Sequence, residues 1–530
     1  MGRPDYFGVP LRAAIQAGKV TEATITEKAV RIVYSLATVG ALDANNNNSS
    51  DTDVTSDAHR ALARKLAARS AILLTNKDSA LPLDFAKLGR RKASVALIGQ
   101  AGRDQPLFGG GGSGSVVPKA PVTVWDALNV ALGGSVGEPM CGKPTPDTDL
   151  FAYAGKSAKV APHNATAAGC CATCVSNSKW SSFTYHPGGA DCWCHPANTT
   201  VVHKQGYVSS TCRSSAVPAA ALVYENGADE TAAVSAAKAA DVAIVVLAQT
   251  SHEGADRDMN ITLVQSTLVA KIVAANQNVI VVTISPGPFL TPWRDAVAAI
   301  VDFGFAGEME GLAVVDVLGG AVNPGGKLPH TLPKFPNQVQ MSQRQYPGVV
   351  PDPEGTPPPC STQPCAMVSS TGLNPTGGTG ACDCTPTKTY YSEQLEVGYR
   401  YYDAHKVEPA FVFGHGLSFS SFKYSGLRAT RDSVSFTLTN SGTVAGTEVA
   451  QLYLGFPAAA GEPPKQLKGF KVLKDLAAGT KAMVTIALND RSFSIWETSS
   501  HSWIVVKGSF EVWVGGSSDV SGAVSGTITV

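Results

Sequence analysis

The sequence predicts an α/β plus all-β protein: a parallel-sheet α/β sandwich followed by a β-sandwich, with a small disulfide-rich insertion. Three observations carry this reading. Between Ser94 and Gly320, short continuous apolar runs alternate with helical segments, as in a mainly parallel sheet covered on both faces. After Pro409 the hydrophobic period drops to two. The 11 cysteines fall outside both patterns, seven from Cys141 to Cys212 and four from Cys360 to Cys384.

Residues 1–45 hold one well-marked helix. TITEKAVRIVYSL places Thr24 three residues before Glu27, as in a capping box. Ile25, Ala29, Ile32, Val33 and Leu36 share a face, and Gly40 ends it. Residues 46–92 form a linker: a polar, mobile stretch, then the helical HRALARKLAARSAILL, ending near Leu81-Pro82-Leu83. The α/β domain spans 93–335. Its segments are SVALIG, WDALNVAL, AALVY, ETAAVSAAKAA, DVAIVVLA, LVQSTLVAKIVAA, VIVVTIS, AVAAIVDFGF and LAVVDVLGG.

Residues 140–216 interrupt that domain. Here Cys141, Cys170, Cys171, Cys174, Cys192, Cys194 and Cys212 surround Trp180, Phe183, Tyr185 and Trp193. A zinc site would use Cys171 and Cys174 with Cys192, Cys194 or His195, but the spacing fits no common finger. Disulfides are expected instead, with their pairing open. A connector, 336–407, carries Cys360, Cys365, Cys382 and Cys384, expected to clamp a surface loop. Residues 408–530 alternate apolar with polar in SVSFTLTN, EVAQLYLGF, AMVTIALN, WIVVKG and SFEVWVG, the pattern of a sandwich of fibronectin type III character.

Lys+Arg and Asp+Glu number 42 each, so the net charge is zero. That argues against a nucleic-acid partner or a polybasic membrane-surface role. No apolar run approaches the ~18 residues of a membrane span. Glycosylation sequons at Asn47, Asn48, Asn164, Asn198 and Asn260, with the clustered cysteines, point to an extracellular or secretory/vacuolar compartment. MGRPDYFGVPLRAAI has no apolar signal core, so the natural protein is expected to begin upstream of Met1.

Chemistry is expected in Asp241 to Asn260, DVAIVVLAQTSHEGADRDMN. A buried strand from Val242 to Leu247 gives way to a polar loop holding Glu253 beside Asp256 and Arg257. Ligands of open α/β sheets bind beyond the carboxyl ends of strands, and a carboxylic acid there is a candidate general acid/base. The glycine run around Gly111, Gly112 and Ser113 lacks the Gly-Lys-Ser/Thr ending of a phosphate loop. Trp293 and Phe305 are candidate sugar-stacking aromatics, with core packing as the alternative. No cofactor and no metal is expected, and the oligomeric state is left open.

Several strings resemble glycoside hydrolase family 3. HRALARKLAARSAILLTNKDSALPL is similar to its barrel-to-sandwich linker, and SVALIGQAG with GGGGSGSV to the first sandwich strand and glycine loop, which implies a tight loop near the domain interface using unusual backbone angles. NPGGKLPHTLP, YYSEQLEVGYRYYD and FVFGHGLSFSSFKYS resemble the passage into its fibronectin-like domain. The Cys-Cys-x-x-Cys start and Cys-Trp-Cys close of the insertion resemble PAN/apple-like modules, implying a cell-wall glycan as one partner.

The family resemblance implies hydrolysis of terminal β-D-glucosyl residues in oligosaccharides or glycosides. Glu253, in the string Glu253-Gly254-Ala255-Asp256-Arg257, would be the general acid/base. Asp256 and Arg257 are expected to pair and shape the loop. Residues 1–45 would be the end of the family's barrel, whose nucleophilic Asp this chain lacks, so the chain alone is expected to be inactive. Where the family has Pro-Gly-Gln-Glu-Gly-Gly, this chain has Ala306-Gly307-Glu308-Met309-Glu310-Gly311. A glycan on Asn260 would crowd the cleft and is not expected if the enzyme is active. The alternatives are a β-xylosidase of the same family, a non-catalytic carbohydrate-binding or adhesion protein, and a chain activated by a separately encoded barrel.

Overall fold

A computed structural model describes residues 7–42, 54–111, 120–135, 219–253, 256–261, 263–342 and 390–530. It also gives the backbone of strands within 139–214 and of short strand pieces between 350 and 388. The chain divides into two units, Met1–Thr55 and Ser56–Val530.

The first unit holds α1 (Val9–Gln16) and α2 (Glu22–Thr38). Thr21 caps α2, its hydroxyl accepting from the Thr24 N–H, so Thr24 lies inside the helix and is not its cap. Glu27 pairs with Arg31 one turn on. No residue of either helix is buried, and Ile32 is 64% exposed.

The second unit opens with α3 (Asp57–Ser70), capped by Ser56. Helix ends at Ser70; the expected continuation through AILL is instead strand β1 (Ile72–Asn76). Then come β2 (Val95–Ile98), α4 (Val124–Ala131), β3 (Leu222–Glu225), α5 (Glu230–Ala239) and β4 (Val242–Ala248). The domain finishes with α6 (Leu263–Ala275), β5 (Val279–Ile284), β6 (Ala299–Asp302) and α7 (Glu310–Leu318). The sheet order is β1-β6-β5-β4-β2-β3. All neighbours are parallel except β1, which closes one edge antiparallel to β6.

The central strands are apolar throughout because both faces are covered, and alternate residues enter two separate cores. Ile244, Val246, Ile280 and Val282 enter one; Val245, Leu247, Val279 and Val281 enter the other. Arg64 fastens α3 to α7 through a two-pronged pair with Asp316, both contacts 2.6 Å. Gly99, at φ +113°, ends β2 hard against β4: a Cβ there would lie 2.3 Å from the Val246 carbonyl oxygen. Gly99→Ala is therefore expected to destabilise by about 2 kcal/mol, read as a lower urea midpoint; an unchanged midpoint would show that the strands part without cost.

Residues 139–214 contain an antiparallel sheet. The side chains of its cysteines, and those of Cys360, Cys365, Cys382 and Cys384, lie outside the described residues. So do Asn47, Asn48, Asn164 and Asn198, and most of the linker before Ser56.

After α8 (Tyr399–Ala404), the terminal domain packs two sheets. One is β7 (Phe422–Ala429), β8 (Ser433–Asn440) and β11 (Lys481–Ala487). The other, in the order β10-β9-β14-β15, comprises β9 (Gly446–Gly455), β10 (Gln466–Leu476), β14 (Ser509–Gly515) and β15 (Val524–Thr529). A hairpin, β12 (Ser494–Glu497) and β13 (Ser502–Val505), lies beside them. Val434, Phe436 and Leu438 of β8 point inward and meet Leu452, Leu454 and Val512.

The FVFGHGLS stretch joins the two domains. The Leu417 N–H donates to the Leu73 carbonyl at 2.7 Å, and the His415 ring Nε2 lies 2.8 Å from that of Leu74. Half-buried Lys327 reaches the Gly416 carbonyl (2.7 Å) and Glu448 (3.2 Å). No helix among the described residues is long and apolar enough to cross a membrane.

Candidate active site

The chain leaves β2 toward β3 at one edge, and leaves β4 toward β5 on the other side. Because β2 and β4 are neighbours whose connections leave toward opposite sides, their carboxyl ends form the topological switch point where ligands of open α/β sheets bind. One loop carries the glycine run; the other carries Glu253, exposed on a turn. The two are tied together, for the Gly111 N–H donates to the Ser251 carbonyl at 2.8 Å.

A Cβ on Gly111 would lie 2.0 Å from His252 Nδ1, and one on Gly110 would lie 3.1 Å from the Phe305 ring. Neither glycine has a left-handed φ, contrary to the expectation of unusual backbone angles. They are required because the loop runs against His252 and Phe305. Gly112 and Ser113 lie outside the described residues, as do Gly254 and Ala255.

The loop from 249 to 261 folds back on Gln249. Its amide nitrogen donates to the carbonyls of Asp258 and Asn260, and its oxygen accepts from Arg257 at 2.7 Å. Arg257 also donates to the Pro288 carbonyl. The expected Arg257–Asp256 pair is replaced by these bonds. The guanidinium enters the loop base, where carbonyls and an amide are its acceptors, while Asp256 stays exposed. Burial lowers the Arg257 pKa from its usual range. Burial first, then the charge of Arg257, also lowers the pKa of His330, leaving that imidazole neutral near physiological pH.

Asn260 bonds the Asp258 carboxylate through both its backbone N–H (2.8 Å) and its side-chain amide (3.0 Å). Replacing Arg257 by Met is expected to free the loop while the sheet holds. Limited proteolysis should then cut between residues 249 and 261 at least about tenfold faster; an unchanged cutting rate would show that Gln249 alone suffices.

Trp293 is buried in the second core, so it is a packing residue. Phe305 is half-buried beside Gly110. Two buried acids escape sequence reasoning. Asp302 ends β6 and accepts from the Thr283 hydroxyl at 2.9 Å; burial pushes its pKa up to about 6. Glu310 is fully buried at the start of α7, and neither carboxyl oxygen has a partner. The one available signal was that Glu310 stands where the resembling family's string has glycine.

Two sequence families match this chain: the glycosyl hydrolase family 3 C-terminal domain over residues 71–419, and a fibronectin type III-like domain over 448–518. Among curated proteins, probable β-glucosidase L of Aspergillus terreus is 29% identical over 97% of this chain and 60% of its own length. Thermostable β-glucosidase B of Acetivibrio thermocellus is 27% identical over 95% of this chain and 52% of its own. The chain thus spans little more than half the length of these relatives.

Among solved structures, a Chaetomella raphigera β-glucosidase superposes with a TM-score of 0.64 at 26% identity, covering 98% of this chain and 63% of that one. A Streptomyces venezuelae β-glucosidase in complex with D-glucose gives 0.65 at 25% identity, covering 99% and 66%.

Proposed function

This chain belongs to glycosyl hydrolase family 3, and on that premise we propose that it serves the retaining hydrolysis of terminal non-reducing β-D-glucosyl residues, with Glu253 as the general acid/base. The observation that carries the reading is the placement of Glu253. It lies on the loop after β4, at the point where the sheet connections diverge, in the string Glu-Gly-x-Asp-Arg. The glycine loop and the Gln249–Arg257 bonds hold that loop in place from either side.

A retaining mechanism needs two carboxyl groups about 5–5.5 Å apart, one protonating the leaving oxygen and one attacking the anomeric carbon. We assign the nucleophile to the part of the relatives' length that this chain does not match. Glu253 then donates a proton to the departing glycosidic oxygen and takes one back from the water that releases the sugar. The amide of Asn260 is engaged by Asp258, which supports leaving that sequon unused. The clustered cysteines and the remaining sequons support a secretory or extracellular compartment. The decisive experiment is hydrolysis of an aryl β-glucoside, with an aryl β-xyloside in parallel, by this chain joined to the part of a curated relative that it does not match, with Glu253 or with Glu253→Gln. A preference for the xyloside would overturn the substrate assignment.

A further inference from the structure

Three cations meet on one side of the terminal domain, and each lies over an aromatic ring. Arg400 lies 5.4 Å from the Tyr399 ring centre, Lys468 lies 4.8 Å from that of Phe456, and Arg491 stacks on Trp503. None of the three has an ion-pair partner within reach among the described residues. Of the acids nearby, Asp490 pairs with Arg431, whereas Glu462 and Glu497 accept from the neutral Gln466 amide and Ser499 and keep their charge. Burial, opposed by Glu462 and assisted by Arg400 and Arg491, lowers the Lys468 pKa to about 8, so these cations sense one another.

Beside them, Trp496 and Trp503 face each other across the β12–β13 hairpin, ring centres 5.3 Å apart and planes at 58°. They are 45% and 48% exposed. An exposed indole pair beside cations that have no ion pair of their own suits a ligand with two properties. It must offer C–H faces to stack on the rings, and it must carry negative charge.

We propose that this face is a binding platform for an acidic glycan, a polysaccharide bearing uronic acid residues. Pyranose rings would stack on Trp496 and Trp503, while carboxylates meet Arg491, Lys468 and Arg400. A neutral glycan would leave the three cations without an ion pair, and a polyanion without sugar rings would leave the indoles uncovered. Binding here is independent of catalysis, so its failure and the failure of the Glu253 assignment are separable.

The test is affinity electrophoresis of the full chain in gels containing a glucuronic-acid-bearing xylan, a neutral β-glucan or polyglutamate. Retardation by the acidic xylan, strongest at low salt, is the expected result. Lys468→Gln with Arg491→Gln should weaken it at least about tenfold. Trp503→Ala should weaken xylan binding similarly while leaving retardation by polyglutamate unchanged. Trp503→Phe and Arg491→Lys, which disturb the hairpin less, should each retain part of the binding, and urea midpoints confirm that the variants fold. Equal retardation by the neutral glucan, indifference to Trp503→Ala, or no retardation by the acidic xylan would each overturn the proposal.

Discussion

Glu253→Gln is expected to lower kcat/KM on an alkyl or unactivated aryl β-glucoside by about 10²–10⁴-fold. The size of the loss should follow the leaving group. A simple alcohol cannot depart without a proton, whereas dinitrophenolate can, so a dinitrophenyl glucoside should lose far less in the sugar-transfer step. On the proposed assignment the same residue also activates water in the second step, so azide should restore turnover and yield a glucosyl azide. The basic limb of the pH–rate profile, which reports loss of the acid's proton, should disappear as well. These measurements belong in a polypeptide where this chain follows the part of a curated relative that lies beyond the matched region. The 530 residues alone are expected to be silent. Turnover by them alone that Glu253→Gln abolishes would place the second carboxylate inside this chain. Turnover untouched by the substitution would sink the assignment of Glu253.

The string around Glu253 was legible because its signal is local: a buried strand of the right length, then a polar break at its carboxyl end. The same holds for α6, whose observed span, Leu263–Ala275, coincides with the apolar stretch read as a helix. What was not legible depends on partners far along the chain. AILL continues the helix by composition, but its backbone pairs with Ala299–Asp302, and that edge position makes it a strand. Arg257 has Asp256 beside it in sequence, yet its side chain turns to Gln249 and Pro288, which only the folded loop brings near. In sequence Trp293 is open to both sugar stacking and the commoner packing role, because composition cannot distinguish a buried ring from an exposed one. The glycine run points in sequence to unusual backbone angles; that close approach to His252 and Phe305 is what requires Gly110 and Gly111 emerges only in the fold.

Glu310→Gln and Glu310→Leu are both expected to stabilise the protein at neutral pH, against the general rule that core substitutions destabilise. A carboxylate at the first turn of a helix is ordinarily favourable, because the helix dipole attracts negative charge there. At Glu310 the burial cost outweighs that attraction. The residue is fully buried, neither oxygen has a partner, and desolvation raises its pKa well above the usual carboxylate range.

The sign follows from proton counting. Below the unfolded-state pKa of 4.5 both states hold the proton, and the residue imposes no pH-dependent cost. Above it the unfolded chain releases a proton that the folded chain keeps. Stability therefore falls by up to about 1.4 kcal/mol per pH unit, until the folded-state pKa is passed. Asp302 adds a similar decline between its ordinary value of 3.8 and about 6. Gln is neutral at every pH, so the advantage of Glu310→Gln over the parent should vanish near pH 4 and grow toward pH 8. Leu also removes the unpartnered oxygens and should gain more, about 1–4 kcal/mol at neutral pH. Thermal melts of the parent and both variants across that pH range read the effect directly. A gain that does not change with pH would show that Glu310 is not the titrating group. A loss on substitution at pH 8 would mean that its carboxylate has found a partner in solution.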